Sequence, residues 1–327
     1  MQTIQTVARI AGVSVATVSR VINNPSVVTE KTRIKVEKVI NDLNYEPSVH
    51  GRNLRTSESR LLLILIPSIS NPFYADIISG IEKTAFEQGY ITFIYETDSH
   101  HGRKKTYSNL LRNRLADGII SMDPTVNKQE LFSLANQYPV VQCSEYDVEG
   151  SISYVAINHK LAAYDAVKYL IKLGHKKIAL INSHSKYLYS RERRKGYEKA
   201  LNEFNLPINT DWIYNTQKLS FENGQRASSM LLNMDEKPTA IFAVSDILAI
   251  GALKEVNMRG LKIPNDMAII GFDKISFSNM THPTLTTISQ PRYEMGVTSA
   301  TMLIEKIKGK QTKSIILDHE LVIRNST

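Results

Sequence analysis

The sequence predicts an α/β protein with a small N-terminal head of three helices and a larger body of two doubly wound, parallel-sheet lobes. In the first 45 residues, short helical stripes are separated by turn residues. From Leu61 onward, apolar runs alternate with longer helical patterns in two successive series. Uniformly apolar strands that alternate with helices are typical of parallel sheets covered on both faces. A length of 327 residues is also more than one compact domain usually holds.

The first two helices of the head form a helix-turn-helix pattern. Thr3 is suited to cap a helix over residues 4–11, and Ser14 is suited to cap a second helix that ends at Ile22. Gly12 lies between them and can adopt the left-handed backbone conformation that the corner of such a motif uses.

The second helix has the side chains needed to enter the major groove of DNA. Val15 and Val18 follow helical spacing and predict an apolar stripe, which leaves polar and small side chains on the other faces. Arg20 can donate hydrogen bonds to the edge of a guanine, whereas Thr17 and Ser19 can donate to phosphates. This helix therefore predicts DNA binding.

A third helix and a linker complete the N-terminal part. Thr29 is suited to cap a helix over residues 30–43, and the head is predicted to span residues 1–46. Residues 47–60 are predicted to form a linker with weak helical propensity, because an isolated short helix does not persist in water. Gly51 lowers that propensity by about 1 kcal/mol.

Positive charge is concentrated at the N-terminus. The whole chain has 40 Lys and Arg residues against 32 Asp and Glu residues, a net charge of +8. Residues 1–60 contain nine basic and five acidic side chains, so half of the excess lies in less than a fifth of the chain. This asymmetry favours a polyanionic partner. An ordinary solvated basic face is the alternative, which charge alone does not exclude.

The composition disfavours several other classes of function. Cys143 is the only cysteine, which excludes a disulfide within the chain and fits a reducing cytoplasm. We see no signal peptide, and the longest apolar run, residues 61–67, is too short to span a bilayer. No Gly-rich phosphate loop or HExxH motif is present, and the adjacent side chains of His100 and His101 point apart. We therefore expect a cytoplasmic protein that is not an enzyme and uses no cofactor or metal.

The body is expected to alternate strands with helices in two series. The strands of the first series are predicted at 61–66, 91–95, 118–120, 140–142 and 154–157, and those of the second at 177–181, 212–214, 240–244 and 267–272. Helices are predicted near 74–88, 103–115, 128–137, 159–173, 190–204, 222–233, 246–258 and 292–308. Each series predicts one doubly wound lobe.

Several motifs, in this order along nearly the whole chain, resemble those of the LacI-type bacterial repressors. The head motifs are TVARIAGVSVATVSRVINN, TEKTRIKV and LNYEPS, and the body motifs include SNPFYADIISGIE, PTAIFAVSDILAIGAL, GLKIPNDMAIIGFD and PTLTTISQP. The body motifs are shared with periplasmic sugar-binding proteins, which lack the head. The resemblance implies a periplasmic-binding-protein-like effector domain, with one lobe at 61–159 plus about 291–318 and the other at 160–290 plus about 319–327. It also implies a homodimer, or a tetramer of dimers, on a pseudopalindromic operator in double-stranded DNA.

The resemblance assigns roles in DNA binding residue by residue. It places Val15, Ala16 and Arg20 at base-reading positions, and Thr17, Ser19, Asn23, Thr29 and Thr32 at phosphate-contacting positions. Simple packing is the alternative for Val15 and Ala16, although small apolar residues also contact thymine methyl groups. Residues 47–55 match the family's hinge helix, in which Leu54 would wedge into the minor groove and Arg55 would add charge. His50 and Gly51 depart from the hinge of the lac and purine repressors.

The effector is expected in a cleft between the lobes, because ligands of open parallel sheets bind outside the carboxyl ends of the strands. The stretches at those ends are 68–74, 121–123, 144–146, 183–193, 245–246 and 273. Within or near them we expect effector contacts from Phe73, Tyr74, Ser121, Arg193, Leu219, Asp246 and Asp273. The family places contacts at the positions of Phe73, Arg193 and Asp273, and often Asp246, for which a helix N-cap is the alternative. Leu219 occupies a position where several relatives have a stacking aromatic residue.

These residues predict a repressor of a carbohydrate-utilisation operon that a small molecule controls. A sugar or sugar derivative is the first expectation for the effector, and a nucleoside or base is the second. The cluster of Arg191, Arg193, Arg194 and Lys195 leaves a phosphorylated or carboxylated effector open. Another alternative is a regulator driven by a phosphocarrier protein, as in catabolite-control relatives. The sequence does not distinguish induction from corepression.

Overall fold

The computed structural model describes residues 3–45, 58–97, 106–147, 150 and 152–327. It forms two compact units, residues 1–59 and 60–327, which are described separately below. The predicted hinge over 47–55, including His50, Gly51, Leu54 and Arg55, lies outside the described residues, as do His100 and His101.

The head contains three short helices around a small apolar core. They are α1 (Ile4–Ala11), α2 (Val15–Asn23) and α3 (Glu30–Asp42), with a short 3₁₀ turn at Pro25–Val27. Val7, Ala11, Val18 and Val36 are fully buried. Since a core of this size buries little apolar area, the head is held together by few contacts.

The starts of the head helices use the predicted residues in different ways. Gly12 has a φ of 58°, which confirms the left-handed corner between α1 and α2. The Thr3 and Ser14 hydroxyls accept hydrogen bonds from the backbone N–H groups of Thr6 (3.2 Å) and Thr17 (3.1 Å). Thr29 is the N-cap residue of α3, as predicted, but no backbone N–H of the helix donates to its hydroxyl.

Strands and helices alternate through the body, as the two apolar series predict. The strands are β1 (Leu61–Ile66), β2 (Ile91–Glu96), β3 (Gly118–Ser121), β4 (Val140–Cys143), β5 (Tyr154–Ile157), β6 (Ile178–Asn182), β7 (Ile213–Asn215), β8 (Ala240–Ala243), β9 (Ala268–Asp273), β10 (Thr286–Ser289), β11 (Ile315–Leu317) and β12 (Glu320–Val322). The helices are α4 (Phe73–Glu87), α5 (Thr106–Arg112), α6 (Lys128–Ala135), α7 (His159–Lys172), α8 (Leu188–Glu203), α9 (Phe221–Leu232), α10 (Asp246–Met258) and α11 (Arg292–Ile307).

The first lobe, which we define as the first sheet and its helices, has the strand order β11-β5-β4-β3-β1-β2, with parallel pairs throughout. Alternate residues of β1 face opposite sides of the sheet. Leu62 and Ile64 pack in the core beneath α4 and α11, and Leu63 and Leu65 pack beneath α5 and α6. Helices α4 and α11 pack closely because Gly296 has no side chain: a Cβ there would lie 2.1 Å from the Ile77 carbonyl oxygen.

The second lobe has the strand order β12-β10-β9-β8-β6-β7. Its pairs are parallel except that β12 runs antiparallel to β10. Strands β10, β11 and β12 were not predicted: β10 contains three hydroxyl-bearing residues, and β11 and β12 have three residues each. In β10, the buried hydroxyl of Thr287 donates to the Asp246 carboxylate (2.6 Å), so a polar residue is satisfied in the core.

The chain passes between the lobes three times. The passages follow β5, β10 and β11. The cavity between the lobes is lined by residues that follow β1, β3 and β4 in the first lobe and by residues at or after β6, β7 and β9 in the second. Since each of those strands ends at this cavity, the carboxyl edges of both sheets border one cleft.

Candidate functional sites

The outer face of α2 exposes small side chains and one arginine. Val18 and Val21 are buried, but Val15 is 42% exposed and Ala16 and Arg20 are exposed. The stripe predicted from helical spacing is therefore wrong at Val15, which lies at the first residue of the helix rather than over the core. A packing role does not account for Val15, whereas contact with a thymine methyl group suits a small exposed apolar residue.

Arg20 has the surroundings expected of a side chain that binds a partner. It is exposed and forms no ion pair with any residue that the structure describes. Its guanidinium carries donors in a planar fork that matches the two acceptors on a guanine edge.

Exposed hydroxyl groups lie at the starts of α2 and α3. The Ser14 and Thr17 hydroxyls are 2.9 Å apart, and those of Thr29 and Thr32 are 3.0 Å apart. Helix N-termini favour phosphate because their first N–H groups have no partner within the helix. The side-chain amide of Asn23 instead donates to the Ser19 carbonyl oxygen (2.6 Å), so a phosphate contact from that nitrogen would replace a bond within α2.

The cleft of the body contains a cavity between the two lobes. The lining residues are Asn71, Phe73, Tyr74, Met122, Pro124, Ser144, Glu145, Tyr189, Arg193, Leu219 and Asp273. The set combines flat apolar faces with a few charged groups, which is typical of sites that bind a polar ring.

Arg193 is the only arginine or lysine among the described lining residues of this cavity, and it is almost fully buried. One terminal nitrogen donates to the Val244 carbonyl oxygen and lies 3.7 Å from Asp273 Oδ1. The guanidinium carbon lies 3.6 Å from the centre of the Phe272 ring. The Nε group is buried and has no hydrogen-bond partner among the described residues. Buried donors are nearly always paired, so this N–H calls for an acceptor that the described residues do not supply.

Asp273 ends β9 in a strained conformation. Its φ of 114° is rare for a residue with a side chain, and such strain persists only where the surroundings hold it. The Gln290 amide donates to Asp273 Oδ1 (2.7 Å), and the amide oxygen of Gln290 is buried without a partner among the described residues. Burial raises the pKa of Asp273 to about 6, although nearby Arg193 opposes the shift.

Glu145 joins the two lobes. It follows β4 in the first lobe, and its carboxylate accepts hydrogen bonds from the backbone N–H groups of Leu188 (2.6 Å) and Tyr189 (3.4 Å) in the second. These residues begin α8, whose N-cap residue, Tyr187, provides no side-chain cap. Burial raises the pKa of Glu145 to about 7, and the two N–H groups and Arg193 oppose that shift. The carboxylate therefore caps a helix of the opposite lobe.

The structure brings five of the seven predicted effector residues to this cavity. These are Phe73, Tyr74, Arg193, Leu219 and Asp273, and the rings of Phe73 and Tyr74 meet edge to face with their centres 5.2 Å apart. Ser121 and Asp246 are buried and are not among the lining residues.

Asp246 has a different environment from the one that the sequence suggests. Its carboxylate accepts hydrogen bonds from the Ile275 backbone N–H (2.8 Å) and the Thr287 hydroxyl (2.6 Å). The alternative of an N-cap role is wrong, because Ser245 is the N-cap of α10. Burial raises the pKa of Asp246 well above its ordinary range. An effector contact of Asp246, as of Ser121, stays a prediction.

Sequence reasoning did not single out six lining residues: Asn71, Met122, Pro124, Ser144, Glu145 and Tyr189. Each lies in or beside a stretch that follows a predicted strand, so position alone gave a weak signal. The signal for Glu145 as a cap was missing, because the helix that it caps lies 43 residues farther along the chain.

The described part of the chain has one free cysteine, and it lacks both a group of side chains that could hold a metal ion and a membrane-spanning helix. Cys143 is buried, and burial raises the pKa of its thiol to about 12. Within residues 3–45, 58–97, 106–147, 150 and 152–327, no three His, Cys, Asp or Glu side chains are grouped to hold a metal ion. Those residues also contain no helix with the length and apolar character needed to span a membrane.

Two family profiles match the chain in the same order as its two units. Bacterial regulatory proteins of the lacI family match residues 3–48, and the profile of periplasmic binding proteins and the sugar-binding domain of the LacI family matches residues 59–325. The chain belongs to the LacI family. The family resemblance of the sequence motifs is thus confirmed, as is the fold class of a helix-turn-helix head and a periplasmic-binding-protein-like body.

LacI-family relatives match over nearly the whole chain. The transcriptional repressor CytR of Escherichia coli strain K12 is 37% identical over 333 residues, which cover 99% of this chain and 96% of CytR. A lac repressor dimer bound to operator and the anti-inducer ONPF has a TM-score of 0.88 at 27% identity, with 99% of this chain and 98% of that chain covered. A CelR–cellobiose complex has a TM-score of 0.76 at 26% identity, with both chains fully covered. The protein is a DNA-binding transcriptional regulator and not an enzyme.

Proposed function

We propose that the protein represses a carbohydrate-utilisation operon and that a neutral, hydroxyl-bearing effector in the interlobe cleft sets its affinity for the operator. The observation that carries the proposal is the buried Arg193, which lines the cavity with Asp273 and whose Nε–H has no partner among the described residues. Asp273 lines the same cavity and adds carboxylate acceptors. A polyol supplies both donors and acceptors to such a set.

The charges around the cavity favour a neutral effector over a phosphorylated one. The two acidic lining residues, Glu145 and Asp273, outnumber the one basic residue, Arg193. The other basic side chains of the cluster already have partners. Arg191 donates to the Ser185 and Lys186 carbonyl oxygens, Arg194 pairs with Glu198 (2.7 Å) and Lys195 pairs with Glu192 (2.6 Å). A sugar remains the first expectation and a nucleoside the second, since the aromatic rings also suit a base.

For DNA binding, we propose that α2 enters the major groove. Its exposed residues Val15, Ala16 and Arg20 would contact bases, whereas the hydroxyl and amide side chains at the starts of α2 and α3 and at the end of α2 would contact phosphates. These are Thr17, Ser19, Asn23, Thr29 and Thr32. Residues 47–60 would form the minor-groove hinge, with Leu54 as the wedge and Arg55 as an added charge.

We propose that the protein acts in the cytoplasm as a homodimer, or as a tetramer of dimers. Strand β2 is an edge strand of its sheet, and it exposes Ile91 (71% exposed) and Phe93. The second lobe exposes Met258 and Met280. An edge strand with exposed apolar side chains needs a cover, and a second copy of the chain would provide one. The lac repressor structure is likewise a dimer.

The division of the body into two lobes underlies both the proposed lobe boundaries and the proposed allosteric mechanism. We propose lobes at 61–159 plus about 291–318 and at 160–290 plus about 319–327, which the strand membership of the two sheets supports. An effector that changes the angle between the lobes would change the spacing of the paired hinges. Operator and effector would then alter each other's affinity by the same factor, typically about 1–3 kcal/mol.

A direct test selects an operator from random duplex DNA and measures its affinity by fluorescence anisotropy. Neutral sugars, nucleosides, sugar phosphates and a phosphocarrier protein are then added one at a time. We expect a palindromic operator and a shift of at least about fivefold with a neutral sugar. A shift caused by a nucleoside, or by the phosphocarrier protein alone, would support that alternative. A monomeric chain without preference for any palindrome would contradict the proposal.

A further inference from the structure

A second cavity lies inside the first lobe and is equal in volume to the cleft cavity. It lies beside the carboxyl ends of β2 and β3, on the side of the sheet covered by α5 and α6. Its described lining residues are Tyr95, Thr97, Tyr107, Asp123, Thr125, Val126, Asn127 and Glu130. This set shares no residue with the lining of the cleft.

One short segment separates the two cavities. Met122 and Pro124 line the cleft, whereas Asp123 and Thr125 line the first-lobe cavity. The Asp123 carboxylate accepts hydrogen bonds from the Thr125 backbone N–H (2.7 Å) and hydroxyl (2.9 Å), and also from the Thr97 hydroxyl. These hydrogen bonds fix the turn at residues 122–125. A ligand in either cavity would therefore contact the same segment of the chain.

The walls of the first-lobe cavity combine rings with hydrogen-bonding groups. Tyr95 and Tyr107 meet edge to face with ring centres 6.1 Å apart, and Tyr107 is buried. Burial and the nearby Glu130, which accepts a hydrogen bond from it, raise the pKa of Tyr107, so the phenol stays protonated. Thr125 and Asn127 are exposed and place a hydroxyl and an amide at the solvent side. The rings suit the apolar face of a small ring, and the polar groups suit its hydroxyls.

The charges of the described lining residues disfavour anions. Asp123 and Glu130 are acidic, and the described lining residues include no Lys, Arg or His. A phosphate or carboxylate there would face two carboxylates and no cation among the described lining residues. A neutral polyol avoids this repulsion, and an amine attached to the same ring would be attracted.

We propose that the first-lobe cavity is a second ligand site, which takes a small neutral or amine-bearing polyol independently of the cleft. The site stands apart from the effector site proposed above, because it uses none of the same side chains. A ligand bound there contacts the shared wall from the side opposite to the effector.

The test measures binding in a chain whose cleft is disabled. Isothermal titration of the full-length Arg193→Ala variant uses glucose, ribose, glucosamine and glucose 6-phosphate as probes. Asp273→Asn replaces that background if Arg193→Ala does not fold. Thr125→Trp is then added to fill the solvent side of the first-lobe cavity. Thr301→Trp, at an exposed threonine on α11, is the matched control.

We expect at least one neutral or amine-bearing probe to bind the cleft-disabled chain saturably and glucose 6-phosphate not to bind. Thr125→Trp should weaken that binding at least tenfold, whereas Thr301→Trp should leave it unchanged. Hydrogen exchange of the Asp123 and Thr125 amides should slow when the probe is present. The proposal is overturned if none of these probes binds, if Thr125→Trp has no effect, or if the phosphate ester binds equally well. The proposal that an effector binds in the cleft does not depend on any of these outcomes.

Discussion

The head and the body place their functional side chains in opposite environments. In the head, the residues assigned to DNA are exposed or half-exposed, and the side-chain hydrogen bonds of Thr17, Asn23 and Thr32 join residues three or four positions apart. In the cleft, Arg193 is buried and donates to a carbonyl 51 residues away. Local contacts can change without disturbing a fold, whereas buried long-range contacts are part of it. We therefore expect head substitutions to separate function from stability and cleft substitutions to alter both.

The largest effect is expected from Arg193→Ala. The change leaves Asp273 buried without its cation, and breaking a buried pair typically costs about 3–5 kcal/mol. We expect the effector response to be lost, operator affinity to remain and the thermal midpoint to fall. Anisotropy and calorimetry measure these quantities. Arg194→Ala is the neighbouring control, because its partly exposed pair with Glu198 should contribute less than about 1 kcal/mol. An unchanged effector response in Arg193→Ala would remove that residue from the site.

Arg20→Ala tests the opposite side of the comparison. Because Arg20 is exposed, the free energy of unfolding should change little. Operator discrimination should fall by about 1–3 kcal/mol at a single base pair. Competition between the selected operator and single-base variants measures this loss. Equal losses on specific and random DNA would indicate a phosphate contact instead of base reading.

The two regions also differ in what the sequence could predict. Helix bounds in the head, Gly12 and the Ser14 cap depend on neighbours a few residues away, so local rules predicted them. In the body, the apolar strands were predicted because their burial on both faces shows in the sequence, but the short strand at Thr286–Ser289 was missed. Phe73, Arg193 and Asp273 came from the family resemblance. The role of Glu145 depends on a helix of the other lobe, and no local pattern reveals such a partner.

Glu145 makes the cleft sensitive to pH. Its pKa is about 7 with the lobes joined and would return toward its ordinary 4.5 once the carboxylate meets water. Between these values the joined form binds a proton that the separated form releases, so raising the pH from 5 to 8 disfavours joining. If the effector binds only the joined lobes, its affinity should fall by up to about 70-fold over this range. Calorimetric titration at several pH values measures the slope.

Glu145→Gln is the matched control for that slope. The amide keeps an acceptor for the N–H groups of Leu188 and Tyr189 but does not titrate. Most of the pH dependence should disappear, and a smaller part should persist because the pKa of Asp273 is also raised, to about 6. A slope as steep as that of the unmodified chain would assign the proton to another group.

The smallest expected difference lies between two helix starts in the head. Ser14 and Thr29 are both N-cap residues, but only the Ser14 hydroxyl accepts a backbone hydrogen bond from its helix. Ser14→Ala should therefore destabilise the head by about 1 kcal/mol, and Thr29→Ala by clearly less. Hydrogen exchange of α1 and α2 amides in the full-length chain measures both. If Thr29→Ala nevertheless weakens operator binding as much as Ser14→Ala does, its hydroxyl acts on DNA and not on the fold, because the helix start does not depend on it. Equal destabilisation by the two changes would instead show that Thr29 supports α3 through its contact with Thr32.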